Sequence, residues 1–257
     1  MAGGNDGGMR ATAEGWKDFF AHSQYTRFAT AVVPPGQTEA EVSQLTGLLG
    51  LRPGARILDL GCGNGRLAVP LAAAGYAVTG LDACEPLLAI ARDRAADSGA
   101  ELTLVHAEMK DFGDIGRFDA VINIGTAFGY VERGEDDRAA LGNVFRCLDS
   151  GGVFLLETEN RDHKVRIGRQ VWFEMAGTIV WCHRAYDAVS GRWRERIEWM
   201  SGDTRDAVEY SLRLYTVAEL ADMLSNAGFT VAGAWSGLSG RPYDLDSPRM
   251  AIMARRP

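Results

Sequence analysis

No run of about 18 apolar residues occurs in the 257-residue chain, so no helix that spans a membrane is expected. The most apolar stretch, Leu67 to Leu81, is broken by Pro70 and Gly75. Cysteine is scarce and scattered. Cys62, Cys84, Cys147 and Cys182 form no C-x-x-C pair, so neither a zinc site nor a disulfide framework is expected, and no metal. Cations are in the minority, 27 against 34 acids for a net charge of −7, which argues against a nucleic-acid surface. Residues 1–9 are Gly-rich and lack the apolar run of a secretion signal; they read as a disordered tail on a cytoplasmic protein with reduced thiols. Internal repeats are absent.

What the chain has is a 46% apolar composition, ample for a core, and one concentrated motif. Ile57-Leu58-Asp59-Leu60-Gly61-Cys62-Gly63-Asn64-Gly65-Arg66 reads as a buried strand entering a glycine loop and then a helix. A second apolar strand, Ala77 to Leu81, ends in Asp82. Glycines at the mouth of a helix let backbone amides approach a ligand, and an acid at the tip of the next strand can accept both hydroxyls of a ribose. A dinucleotide fingerprint would carry its third glycine where Arg66 stands, and a pyrophosphate would not tolerate Asp59 two residues before the loop. An ammonium group would.

Strand and helix signals alternate along the first two thirds of the chain. Strands are expected at 56–60, 77–82, 102–106, 118–124 and 153–158, and helices at 67–74, 86–98 and 136–148. Thr38-Glu39-Ala40-Glu41 reads as a capping box opening a helix that ends near Gly50. Nearly continuous apolar strands mark a parallel sheet covered on both faces. After Thr158 the pattern becomes strand-like alternation from Gln170 to Tyr215, with a hairpin turn at Asp187 to Gly191. A second capping box, Thr216 to Glu219, starts a late helix, and two final strands follow at 230–236 and 250–255.

The motif h-h-D-h-G-x-G-x-G and this order of elements resemble class I S-adenosylmethionine (SAM) methyltransferases over about Leu51 to Pro257. The Gly125-Thr126-Ala127-Phe128-Gly129-Tyr130 stretch, the insert, Ser211 to Thr216 and Gly240-Arg241 are similar to bacterial small-molecule members, including sugar-amine N,N-dimethyltransferases. The resemblance implies an α/β fold with a seven-stranded, Rossmann-like, mostly parallel sheet and an antiparallel β insert after strand 5. Residues 10–50 would form a helical lid, 51–158 the SAM-binding core, 159–214 a substrate cap and 215–257 the rest of the core. SAM would be the cofactor, S-adenosylhomocysteine its product and a small molecule the acceptor, with a homodimer allowed.

The cofactor residues follow from the same resemblance. Gly61, Cys62 and Gly63 would line the methionine portion and Asp59 would favour the ammonium. Asp82 would bind the ribose, with Ala83 and Cys84 beside the adenine. Glu108 stands where Asp is more usual to accept the adenine amine, with Met109 behind it. Asn123 and Ile124 end the fourth strand, where a backbone carbonyl commonly holds the SAM amine. Tyr130 takes the place of a histidine in the sugar-amine relatives, which favours orientation over proton removal, since a phenol titrates near 10. His163 is a second catalytic candidate. Phe20, Tyr25, Trp172, Trp181, Arg213 and Arg241 are substrate candidates; for Trp172, Trp181, Trp193 and Trp199 the competing reading is the insert's own core. His183 is either a pocket residue or a satisfied sheet histidine. Two other readings stay open: SAM binding without methyl transfer, and a nicotinamide-dependent oxidoreductase.

Overall fold

The computed structural model describes residues 15–23, 25, 27, 28, 33, 34, 36–167 and 170–257, and the tail expected over 1–9 lies outside them. Along the chain come α1 (Gly15–Ala21), α2 (Gln37–Leu49), β1 (Arg56–Leu60), α3 (Ala68–Ala73), β2 (Ala77–Asp82), α4 (Glu85–Ser98), β3 (Leu102–His106), β4 (Phe118–Asn123) and α5 (Gly134–Cys147). Then follow β5 (Leu148–Glu159), α6 (Arg161–Lys164), β6 (Gln170–Met175), β7 (Thr178–Asp187), β8 (Arg192–Ser201), β9 (Thr204–Arg213), α7 (Val217–Asn226), β10 (Thr230–Trp235) and β11 (Arg249–Arg255).

Seven strands form one sheet in the order β10-β11-β5-β4-β1-β2-β3, with β11 running against both its neighbours. The chain winds outward from β1 in both directions, because β1 pairs in parallel with β2 on one side and with β4 on the other. Such a switch point leaves a crevice outside the carboxyl ends of the central strands.

The pleat explains the continuous apolar strands. Leu58, Leu60 and Val121 face one layer with Leu141 and Val144 of α5 and Leu220 and Leu224 of α7. Ile57, Ala120 and Ile122 face the other, with Leu45 and Leu49 of α2, Leu71 of α3 and Leu88 of α4. Successive side chains on one strand thus serve two cores.

The insert is a separate antiparallel sheet in the order β6-β7-β8-β9. Val180, Cys182, Trp193, Trp199 and Leu212 are buried, while Ile179, Trp181 and Met200 are exposed. Asp187 closes the β7–β8 turn by accepting from Val189 N and Ser190 Oγ. The Thr216–Glu219 capping box forms as expected.

Three local expectations are corrected. Helix α2 starts at Gln37 behind Gly36, with no side-chain cap, so Thr38 is inside the helix rather than its N-cap. Asp149 to Gly152 does not separate helix from strand: β5 begins at Leu148, which already pairs with Phe118, and a register shift absorbs the glycines. Helix α6, absent from the sequence pattern, is capped by Asn160 accepting from Asp162 N.

Candidate active site

The glycine loop and Asp82 are stitched together at the crevice. Asp82 accepts from Gly63 N and from Cys84 N, both at 2.8 Å, so one carboxylate braces the loops after β1 and β2. Leu81 O accepts from Gly61 N at 2.7 Å and Cys62 N at 3.0 Å. Gly61 must be glycine: its φ is 83°, and a Cβ there would lie 2.6 Å from Ala127 Cβ. The Cys62 thiol is buried, and burial followed by the nearby Asp59 and Asp82 charges pushes its pKa up, which leaves it a space-filler.

Beneath the loop Asp59 is 3% exposed. Burial, then the Asp82 charge, raises its pKa to about 7. Asn123 is also buried; its amide donates to Leu60 O at 2.6 Å, and its Oδ1 has no partner among the described residues. On the far wall Glu108 Oε1 lies 2.6 Å from Lys17 Nζ of α1. Burial works against the Glu108 charge, but the Lys17 hydrogen bond and charge, then Lys110, hold it below the usual carboxylate range.

These groups open on a cavity of about 700 Å³. Gly61, Cys62, Gly63, Asp82, Ala83, Glu108, Met109 and Ile124 line one part of it. Asp59 and Asn123 sit behind the lining. The other part is walled by Phe20 and Tyr25 from the N-terminal segment, by Tyr130, and by Ile197 and Val208 of the insert. The Phe20 ring stands 4.9 Å from Tyr25 and 5.0 Å from Tyr130, both edge-on. Burial raises the Tyr130 phenol further above its ordinary value, reinforced by Tyr25, Glu159 and Glu195, so it stays protonated. Tyr25 is pushed up to about 12 by burial, then by Asp82.

Of the predicted catalytic and substrate residues, four do not line this cavity. Trp172 and Trp181 pair with each other across β6 and β7 and are 69% and 40% exposed, because their pleat position turns them away from the core. They wall neither the cavity nor the insert's interior, whereas Trp193 and Trp199 are buried in that interior. Arg213 bonds Glu219 at 3.3 Å with its guanidinium over Tyr215. His163 lies on α6, beside Arg161, which reaches Glu219 at 3.4 Å. His183 lies 3.6 Å from Glu198 on the insert. Arg241 does line the cavity, bonded only loosely to Ser239 at 3.4 Å.

Sequence reasoning missed Thr126, Glu157 and Arg249, which line the cavity as one cluster. Arg249 donates to Glu157 through Nε and Nη2, and to Thr126 Oγ1 at 2.8 Å. A signal existed: Leu155-Leu156-Glu157-Thr158-Glu159 ends an apolar strand in acids. Its partner could not be found without knowing that β11 lies beside β5.

A profile described as a methyltransferase domain matches residues 57–152. The solved SAM-bound CalS10, an amino pentose methyltransferase from Micromonospora echinaspora, superposes with a TM-score of 0.69 at 21% identity, covering 91% of this chain and 97% of that one. A putative methyltransferase of Geobacillus sp. (strain WCH70) is 34% identical over 213 residues, 80% of this chain and 86% of its own. The chain belongs to the SAM-dependent methyltransferases. A ubiquinone biosynthesis O-methyltransferase of Ruegeria sp. (strain TM1040) is 38% identical over 112 residues, 43% of this chain, and the chain spans 44% of that relative's length.

The residues of this methyltransferase fit its cofactor. SAM carries an ammonium and a ribose but no phosphate, and the crevice offers two carboxylates, the buried Asp59 and the half-buried Asp82, where a phosphate would be repelled. The Asn123 Oδ1, buried and without a partner among the described residues, adds an acceptor behind the lining. Among the described residues no cluster of His, Cys, Asp and Glu could hold a metal, and no helix is long and apolar enough to cross a membrane.

Proposed function

We propose that this enzyme methylates a nitrogen or oxygen of a small molecule of secondary metabolism. One observation carries this reading: a cavity of about 700 Å³ is lined both by the glycine loop with Asp82 and by the insert, so cofactor and acceptor would share one space. The amino pentose and ubiquinone-pathway relatives support nitrogen and oxygen respectively.

SAM supplies a methyl group already activated by its sulfonium. The protein's task is then to place an acceptor in line and exclude water. Asp82 would hold the ribose hydroxyls on lone pairs left free by Gly63 and Cys84, and Asp59 would favour the ammonium. Glu108 and Met109 would border the adenine, and Asn123 and Ile124 the amino acid end. Phe20, Tyr25 and Tyr130 would close the acceptor side with apolar rings. Tyr130, held protonated, would donate a hydrogen bond to orient the acceptor rather than remove its proton. An amine entering this desolvated space would arrive neutral, since burial disfavours its charged form. Arg241 would meet an anionic group on the acceptor.

Calorimetry with SAM tests the reading. The parent should bind, and Asp82→Ala should bind at least tenfold more weakly. Equal binding by the two proteins sinks the assignment.

A further inference from the structure

The turn after β4 is strained, and the strain is held by an ion pair between the buried Glu157 and the half-buried Arg249. Gly125 has φ 82° and Thr126 φ 66°. A β-branched residue in the left-handed region is an outlier that persists only where its surroundings over-determine it. Here they do. Gly125 N donates to Glu157 Oε2 at 2.9 Å, and Thr126 N to Glu157 O at 3.3 Å. Arg249 Nη2 donates to Thr126 Oγ1 at 2.8 Å while the same guanidinium binds both Glu157 oxygens. Glu157 is 4% exposed and Thr126 7%.

The turn decides where the next residues go. Ala127 comes down onto Gly61, so close that a Cβ there would meet it at 2.6 Å. Phe128 enters the core against Tyr215, and Gly129 binds Arg213 N through its carbonyl at 2.8 Å. The 125–130 segment therefore forms the wall facing the glycine loop, and its distance from that loop is set where the chain reverses.

We propose that Glu157 and Arg249 are positioning residues: by locking Thr126 in its left-handed turn they hold Ala127 against Gly61 and fix the width of the cofactor's amino acid subsite. The proposal rests on the assignment of that crevice to the cofactor. It implies that the Thr126 hydroxyl matters as an anchor for Arg249 and not as a ligand contact. The conformation, rather than the side chain, is what binding needs.

Two substitutions separate these roles, with S-adenosylhomocysteine as the calorimetric probe and thermal melting as the folding control. Thr126→Val keeps the shape and the strain but removes the anchor, so binding should weaken by tenfold or more in a folded protein. Thr126→Gly removes the anchor and the strain together, so it should bind within about threefold of the parent. Thr126→Ser keeps the hydroxyl and should restore binding lost in Val. Arg249→Met should behave as Thr126→Val, with its loss appearing in affinity while the fold melts cooperatively. Parent-like binding by Thr126→Val overturns the proposal, and so does a Thr126→Gly loss as large as that of Val, which would make the hydroxyl a direct contact. Failure of the parent to bind the probe would instead remove the cofactor assignment, a different result.

Discussion

Lys17 Nζ lies 2.6 Å from Glu108 Oε1, tying helix α1 to the loop that follows β3 across the mouth of the cavity. The same carboxylate was expected to accept the adenine amine, so one acid would serve two partners. Both side chains are about one third exposed, and such pairs contribute on the order of 0.2–1 kcal/mol. Lys17→Met should therefore weaken SAM binding only about two- to fivefold. The loss should shrink as salt is raised, because screening already weakens the parent's pair. Titrations at 50 mM and 500 mM salt check this; a salt-independent loss would point to packing of α1 instead.

Gly61→Ala is the severe counterpart. The added methyl would sit 2.6 Å from Ala127 Cβ and 2.7 Å from Met109 Cε, at φ 83°. Met109 can swing aside, but Ala127 has no freedom to do so. Backbone strain of this kind costs about 1–3 kcal/mol, which for a chain of this size lowers Tm by roughly 2–4 °C per kcal/mol. A soluble, less stable protein without detectable SAM binding is expected, by melting and calorimetry. Wild-type affinity would show that the loop is wider in solution than in this structure.

The central sheet was legible because its strands are apolar on both faces and its glycines and caps sit where helices end. Gly61, Gly63 and Asp82 were legible for a further reason: a short loop and the tip of the next strand are near each other in any parallel pair. The acceptor side was not. Trp172 and Trp181 are odd and even positions on two strands, and the alternation alone cannot say which face meets the core. Four tryptophans looked equivalent in the sequence, yet two are buried and two face outward. Glu157 and Arg249 are 92 residues apart and meet only because β11 inserts antiparallel beside β5. Pairing of that range is set by topology, which no local pattern encodes.

The two kinds of tryptophan should respond differently to truncation. Trp172→Ser removes an exposed ring, so stability should change by no more than about 0.5 kcal/mol and SAM affinity by less than twofold. Trp193→Ala empties a buried position whose indole Nε1 donates to Glu195 at 3.0 Å. Large aromatic deletions in cores cost about 3–5 kcal/mol, and here the loss also strips a partner from the buried Glu195 carboxylate. Circular dichroism melts of the two variants decide the matter. A Trp172→Ser protein as damaged as Trp193→Ala would mean that the outer face of the insert is covered in solution.

The pH dependence of cofactor binding turns on Asp59. Its pKa is about 7 in the fold against 3.8 for the free group, raised by burial and then by Asp82, whose own pKa burial also raises. The folded chain therefore holds a proton between about pH 4 and 7 that the unfolded chain has released. By linkage, the stability of the ligand-free protein falls as pH rises through that window and levels off above it. Binding runs the other way. A ligand ammonium next to Asp59 favours the carboxylate, so the complex forms with release of a proton below pH 7. Apparent affinity for S-adenosylhomocysteine should climb by up to about tenfold per pH unit from 5.5 to 7 and flatten above 7. Calorimetry at pH 6 in two buffers of different ionisation enthalpy should give two different heats, the mark of proton release. Asp59→Asn should abolish both the buffer dependence and the slope. A flat affinity profile in the parent would show that Asp59 does not face the ligand's charge.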